Sequence, residues 1–391
     1  MATHPLFLYY FLFLQFFDII LLGGKMRGLY IHIPFCKHIC SYCDFPKMVT
    51  YKIDKMKEYV YFLSNELLSY KDKYKDINTI FIGGGTPNAL PLDILEYLLN
   101  KIDEFSANLN IVEYSIECNP ELVTIDQVKL FKKHKINRVS LGAESFDNDV
   151  LIKLGRHHKK EDIINSVNLL KESGINNINV DLIFSHPFDS LELVKYNLKE
   201  FYKLDIPHIS YYSMILEDKT IFNYMYEHDK LKLIDEDLSA SLYEYIINDL
   251  SKNNYIQYEI SNFSKNSESI HNKLYWQGLE YLGVGLSASS YLDSKRFTNA
   301  YNLKDYYNKV IVNEETLSLL DKQKEFMMLG FRMLKVSRTE FFNRFNVNIE
   351  DIFKNEIDRL INDKLIILKD NYYYLTHKGL MLANNVFMEF V

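Results

Sequence analysis

Between Gly28 and Met214, six short runs rich in β-branched and aromatic residues alternate with longer stretches whose apolar residues recur at three- and four-residue spacing. The runs are GLYIHI (28–33), NTIFIG (78–83), EYSIEC (113–118), RVSLG (138–142), INVDLIF (178–184) and HISYYSM (208–214). Between them, KMKEYVYFLSNELLSYK, LDILEYLLNKI, IDQVKLFKKH, EDIINSVNLLKES and SLELVKYNLKEFYKL read as amphipathic helices. Strands separated by helices must run parallel, because a parallel pair needs a long crossover. The expectation is an α/β fold, a partial (β/α)6 barrel over residues 26–235, with ligands at the carboxyl ends of its strands.

The alternation stops near Leu216. Residues 236–315 contain a helical stretch, then YEISNF, HNKLYW and the Gly-rich YLGVGLSASS. A last unit, 316–391, reads as an α+β, winged-helix-like module: a helical run near 349–363 precedes KLIILKDNYYYLT, a hairpin turning at Asp370-Asn371. That fold often binds DNA, yet this unit carries 11 Lys and Arg against 10 Asp and Glu, and the whole chain has a net charge of −7. No basic field for nucleic acid exists at this level, so a structural or ligand-covering role is expected.

Residues 1–25 are an apolar leader. Pro5 to Leu22 is long enough for a membrane helix, but Asp18 would cost roughly 2.5–3.5 kcal/mol near a bilayer centre and no Lys or Arg precedes the run. A misassigned start, with Met26 as the true first residue, is the expected explanation, and a membrane anchor the competing one. The corresponding settings are the cytoplasm, or the cytoplasm with membrane association.

Three of the four cysteines form Cys36-Lys-His-Ile-Cys40-Ser-Tyr-Cys43, directly after the first strand. Cys118 lies far off, so no disulfide framework is present and a reducing compartment suits the thiols. Iron–sulfur clusters usually take four thiolates, and a three-cysteine loop leaves one iron of a [4Fe–4S] cluster open. S-adenosylmethionine (SAM) can chelate that iron through its amino and carboxylate groups, after which an electron from the cluster gives a 5′-deoxyadenosyl radical. Structural zinc, with His32 or His38 as fourth ligand, is the competing reading, but such sites favour paired short spacings. Gly83-Gly84-Gly85-Thr86-Pro87 closes the second strand with backbone that can lie against a ligand. Glu117, Glu144 and Asp181 fall at or just after strand ends around the same mouth. There they could pair with an ammonium or accept from a ribose, and Arg156 could clamp a carboxylate.

On these residues the chain resembles the oxygen-independent coproporphyrinogen oxidase family of radical SAM proteins, and within it the haem-chaperone branch, from Met26 to the C-terminus. LYIHIPFCKHICSYCDF, GGGTP, ECNPE, RVSLGAESF, LGRHH and NVDLIF follow in family order. The resemblance implies SAM contacts from Tyr30, Tyr42, Gly84, Gly85, Thr86, Glu117, Arg156 and Asp181. Glu144 stands where the family usually has glutamine, which keeps a ribose acceptor but adds a negative charge. The oxidase branch carries a further cysteine two places after the triad, whereas this chain has Cys43-Asp44-Phe45. His271-Asn272-Lys273-Leu274-Tyr275-Trp276 matches the HNxxYW motif of the chaperone branch. His271 would serve as an iron ligand, with Tyr275 and Trp276 beside it; the competing reading is a histidine–aromatic packing cluster. Ser185-His186-Pro187 and Ser287-Ala288-Ser289-Ser290 depart from the family's Gly-Leu-Pro and GAHS. The implied function is haem binding and delivery to an acceptor protein, with a [4Fe–4S] cluster, SAM and an electron donor to the cluster. The alternative is radical decarboxylation of coproporphyrinogen III.

Overall fold

The computed structural model describes residues 26–391, so the apolar leader lies outside the described residues. The six expected strands are present: β1 (Arg27–Ile33), β2 (Ile77–Gly84), β3 (Glu113–Cys118), β4 (Arg138–Glu144), β5 (Asn177–Phe184) and β6 (His208–Ser213). Each pairs in parallel with the next. Helices Ile53–Ser69, Leu92–Ser106, Ile125–Lys133, Lys160–Glu172 and Leu191–Leu204 cover the outer face. Their starts are fixed locally: Thr124 Oγ1 accepts from the Gln127 N–H and Ser190 Oγ from the Leu193 N–H. Leu29, Ile31, Ile80, Ile82, Ile116, Val139, Leu141, Ile178, Val180 and Ile209 have no exposed surface and pack beneath these helices. Burial of such side chains contributes about 1.5–3 kcal/mol each.

The sheet does not end with β6. Residues 236–315, expected as a region apart from the barrel, extend the same sheet at both edges, to twelve strands in all. Tyr281–Val284 adds in parallel to the free edge of β1, and Ser289–Leu292, Lys295–Asn299 and Ile311–Thr316 continue antiparallel beyond it. Asn262–Ser264 adds antiparallel to β6. The strand Tyr281–Val284 was hidden by its glycine, and packing explains it: a Cβ on Gly283 would collide with the carbonyl oxygen of Ser289.

The C-terminal module has its own core, built on Met327, Phe331, Phe341, Phe353, Ile357 and Tyr373. Helices Leu319–Arg332, Arg338–Phe345 and Ile349–Asn362 pack on a three-stranded sheet in which Ile366–Lys369 and Tyr372–Leu375 form the expected hairpin. Asp370 and Asn371 both take positive φ, 48° and 67°, the turn conformation that Asp and Asn tolerate. The module abuts the barrel through Arg332, whose guanidinium lies 4.2 Å from the Trp276 ring centroid and 3.5 Å from the buried Glu259 carboxylate. Arg344 donates to the carbonyls of Gln277 and Gly278. Among the described residues no helix is long and apolar enough to cross a membrane.

Candidate functional site

The three cysteines converge because β1 runs into a short segment, Phe35–Cys36, that pairs with Met48–Val49 and closes residues 37–47 into a loop over the strand ends. Lys47 fastens the loop by donating to the carbonyl of Cys43. Thr86 Oγ1 lies 3.6 Å from Cys36 Sγ and Arg156 Nη1 3.4 Å from Cys40 Sγ, so two donors already point at sulfur. All three thiols are free. Burial pushes Cys36 up to about 11 and raises Cys43, which means that thiolates here need a compensating positive charge. Gly85 packs against the loop so closely that a Cβ would stand 2.9 Å from Cys36 Sγ and 2.8 Å from the Pro34 carbonyl carbon. Three convergent sulfurs, donors aimed at them and a glycine-lined opposite wall fit a cluster with one open iron.

These cysteines, with Tyr42, Gly84, Gly85, Thr86, Glu117, Glu144, Arg156 and Asp181, line a single cavity of about 420 Å³ at the carboxyl ends of the strands. Arg156 organises its wall, donating to Asn119 Oδ1 (3.0 Å) and the Gly142 carbonyl, with Glu144 3.7 Å away. Glu144 follows a bulge in β4 and holds a left-handed backbone, φ 63°, a conformation that costs about 1–3 kcal/mol in a non-glycine residue and concentrates at ligand sites. Glu117 Oε2 accepts the Gly84 N–H at 3.0 Å. Burial first, and the neighbouring carboxylates second, push Glu117 up to about 8. Burial likewise pushes Glu144 up to about 7, against the pull of Arg156, and raises Asp181. A cavity whose carboxyls resist ionising for want of positive charge is suited to a cationic ligand.

Four expected site residues are not on this cavity wall. Tyr30 lies behind it: its hydroxyl meets His32 Nδ1 at 2.9 Å and its ring stacks on Phe81. His271 and Tyr275 sit on the helix Ile270–Trp276, and both ring nitrogens of His271 are engaged, Nδ1 by Thr79 Oγ1 and Nε2 by the Tyr275 hydroxyl, each at 2.8 Å. His271 is 1% exposed and stacks on Phe81, the arrangement of a packing cluster. Trp276 is spent on the contact with Arg332. Cys118 lines the cavity as a buried thiol within the core, as expected of a packed residue.

The sequence reading missed the cavity floor. Ser140, Asn179, His208 and Ser210 alternate with apolar residues along β4, β5 and β6 and meet in register inside the barrel. Asn179 Nδ2 donates to Asp181 Oδ1 at 2.8 Å and Ser140 Oγ donates to Asp181 Oδ2 at 2.8 Å. His208 bridges Asn179 Oδ1 (2.6 Å) and the Tyr258 hydroxyl (2.8 Å), and that hydroxyl accepts the Ser269 N–H at the head of the His271 helix. Glu113, 2% exposed, accepts the N–H groups of Ile270 and His271 at 2.8 and 2.9 Å, capping that helix from 157 and 158 residues away. Asn272 itself lines the cavity. The alternation of polar with apolar residues in RVSLGAE, NINVDLIF and HISYYS was the available signal.

A parallel sheet closed by a three-cysteine loop, facing a Gly-Gly-Thr turn and a ring of buried and half-buried carboxylates, defines a radical SAM protein, and the Radical SAM superfamily profile matches residues 30–199. The HemN C-terminal domain profile matches residues 317–382. The chain is 39% identical to "Heme chaperone HemW" of Lactococcus lactis over 376 residues, covering 94% of this chain and 98% of that protein. It is 33% identical to the protein of the same name from Bacillus subtilis, covering 94% and 99%. In structure it resembles coproporphyrinogen III oxidase (HemN) from Escherichia coli, with a TM-score of 0.81 at 22% identity over 94% of this chain and 90% of that one. The chain belongs to the HemW family.

Proposed function

We propose that this chain is a haem chaperone, binding haem and passing it to an acceptor protein on a scaffold that carries a [4Fe–4S] cluster and SAM. The observation that carries this is the match to HemW proteins over nearly their whole length, with Cys43-Asp44-Phe45 in place of the oxidase's extra cysteine. Cys36, Cys40 and Cys43 would hold the cluster, and Arg156 and Thr86 would supply hydrogen bonds to its sulfurs. Gly84, Gly85 and Thr86 would offer backbone to SAM, with Tyr42 beside it. Glu117, Glu144 and Asp181 would balance its positive charges, and Tyr30 would brace the wall from behind. When bound, the cluster and SAM together supply a one-electron reductant and a source of the deoxyadenosyl group. An acceptor protein and an electron donor complete the set of partners.

Support comes from the cavity's chemistry: its reluctant carboxyls, Glu144 buried and Glu117 and Asp181 half-buried, favour a sulfonium and an ammonium over a neutral ligand. The test is haem transfer. Anaerobically reconstituted protein loaded with haem is mixed with an apo-haem protein, and the acceptor's absorption spectrum is followed. Appearance of the holo-acceptor faster than from free haem at the same concentration supports the reading. Haem that never leaves the chain, or never binds it, overturns it.

A further inference from the structure

An electron must reach the cluster before SAM can be cleaved, and the cavity at the strand ends is where SAM itself would sit. The donor needs another approach. A second cavity, of about 440 Å³, provides one: it lies between the cysteine loop, the start of the helix Ile53–Ser69 and the turns that follow β2 and β3. Cys36 is the one cysteine of the triad that lines both cavities. A thiolate bonded to iron shares the cluster's electron density, so Cys36 is the shortest covalent path from this second cavity to the metal.

The cavity has a fixed wall and an apolar lip. Gln127 Nε2 donates to the Asn88 carbonyl at 2.8 Å, Asn88 Nδ2 to the Asn119 carbonyl at 3.1 Å, and the Asn119 N–H to Asn88 Oδ1 at 3.0 Å. Met56, Leu90, Pro91 and Leu122 make the lining apolar, and Tyr51 and Ile53 stand in solvent at its edge, 68% and 51% exposed. The Tyr51 hydroxyl donates to the Lys37 carbonyl at 2.9 Å, which pins the ring beside the residue that follows Cys36. Large apolar side chains left in water around such a recess mark a contact surface. Its charge differs in sign from the rest of the chain. Residues 36–57 hold five lysines, Lys37, Lys47, Lys52, Lys55 and Lys57, against Asp44 and Asp54, in a chain of net charge −7. Lys57 pairs with Asp93, whereas Lys37 and Lys52 are exposed and make no ion pair among the described residues. The single acid lining the cavity, Glu121, lies 3.7 Å from His158.

We infer that this face docks the electron donor, and that the donor is an acidic, flavin-bearing one-electron carrier protein. The recess decides for flavin: apolar walls receive the flat dimethylbenzene edge of an isoalloxazine ring and bring it to Cys36, whereas an anionic iron–sulfur cluster gains nothing from them. The exposed lysines meet the carrier's acidic surface and orient it. The anionic flavin hydroquinone gives up one electron and becomes the neutral flavin radical. That electron passes through Cys36 to the cluster, and no bond or proton moves. The inference deepens the reading of a cluster that serves SAM and rests on it.

The test uses reconstituted full-length protein with SAM and a bacterial flavodoxin as probe. Wild type is compared with the double variant Lys37→Glu/Lys52→Glu and with a control, Lys335→Glu/Lys369→Glu, which makes the same charge change on the C-terminal module. Calorimetry at low and high salt reads flavodoxin affinity, and rapid mixing with the reduced flavodoxin reads the rate of cluster reduction from the flavin absorbance. Lys37→Glu/Lys52→Glu should weaken flavodoxin by about tenfold or more and slow reduction by it, with iron content and the rate of reduction by dithionite unchanged. Wild-type affinity should fall with salt, and the control should match wild type. Undiminished affinity and rate in Lys37→Glu/Lys52→Glu overturn the proposal, as does an equal loss in the control. A ferredoxin that reduces the wild type faster than flavodoxin, and is slowed by the same substitutions, overturns the choice of flavin. A preparation that takes up no iron would instead sink the cluster reading beneath it, whereas one that dithionite reduces and flavodoxin does not sinks the docking face alone.

Discussion

Replacing Glu144 with glutamine should remove a pH step from SAM binding. Burial, with Asp181 adding to it, holds the Glu144 carboxyl near 7 in the ligand-free cavity, against the opposing pull of Arg156. SAM brings a sulfonium and an ammonium, which favour the ionised form. At pH 6 about a tenth of such a group is ionised and at pH 8 about nine-tenths, so the competent population rises about tenfold and Kd falls by about the same factor. Glu144→Gln has no proton to lose, and the step attributable to this group should vanish. A separate rise would persist from Glu117, pushed up to about 8, whose ionised fraction climbs from about a hundredth at pH 6 to about a half at pH 8. Stability should move the other way. A carboxyl whose pKa is higher folded than unfolded binds its proton more tightly in the native state, so its contribution is fully present below the ordinary carboxylate range. It is lost as pH rises from about 4.5 through about 7. Ligand-free wild type should therefore melt lower at pH 8 than at pH 5 by a margin that Glu144→Gln reduces. Calorimetric titration with SAM under anaerobic conditions at pH 6, 7 and 8 reads the binding arm directly. A flat wild-type profile, or an undiminished step in Glu144→Gln, would refute the reasoning.

Cys36→Ala, Cys40→Ala and Cys43→Ala should each lose the cluster while Cys118→Ala keeps it; iron and sulfide content after reconstitution decides, and equal loss in Cys118→Ala would remove the three-ligand site. Gly85→Ala forces a Cβ against the Pro34 backbone and Cys36 Sγ, an overpacking worth about 1–3 kcal/mol, and should lower cluster occupancy with little change in far-UV circular dichroism. Glu113→Gln, at the cap of the His271 helix, should cost about 0.5–2 kcal/mol through weaker charge-assisted bonds, read as a lower denaturant midpoint at normal cluster content.

The barrel was legible because each parallel strand is a short run rich in β-branched and aromatic residues set between amphipathic helices, and the cysteine loop because its spacing is short and local. What stayed hidden depended on contacts far apart in the chain. Tyr281–Val284 is only the start of a Gly-rich stretch until Gly283 is seen to admit the Ser289 backbone, and only then is it a seventh parallel strand. The polar floor needs the register of three strands, which brings Ser140, Asn179 and His208 side by side. His271 could be located from its motif, but not its burial, since Thr79 and Glu113 reach it from another part of the sheet. His38 and His157 belong to separate motifs 119 positions apart, and their stacking exists only where the two loops meet.

The central claim is that this radical SAM scaffold carries haem and does not make its precursor. Reconstituted protein with SAM, a reductant and coproporphyrinogen III, assayed by chromatography of the porphyrin products, tests it most directly when a haem titration is run on the same preparation. The account predicts saturable haem binding and unchanged coproporphyrinogen. SAM-dependent formation of protoporphyrinogen IX would contradict it.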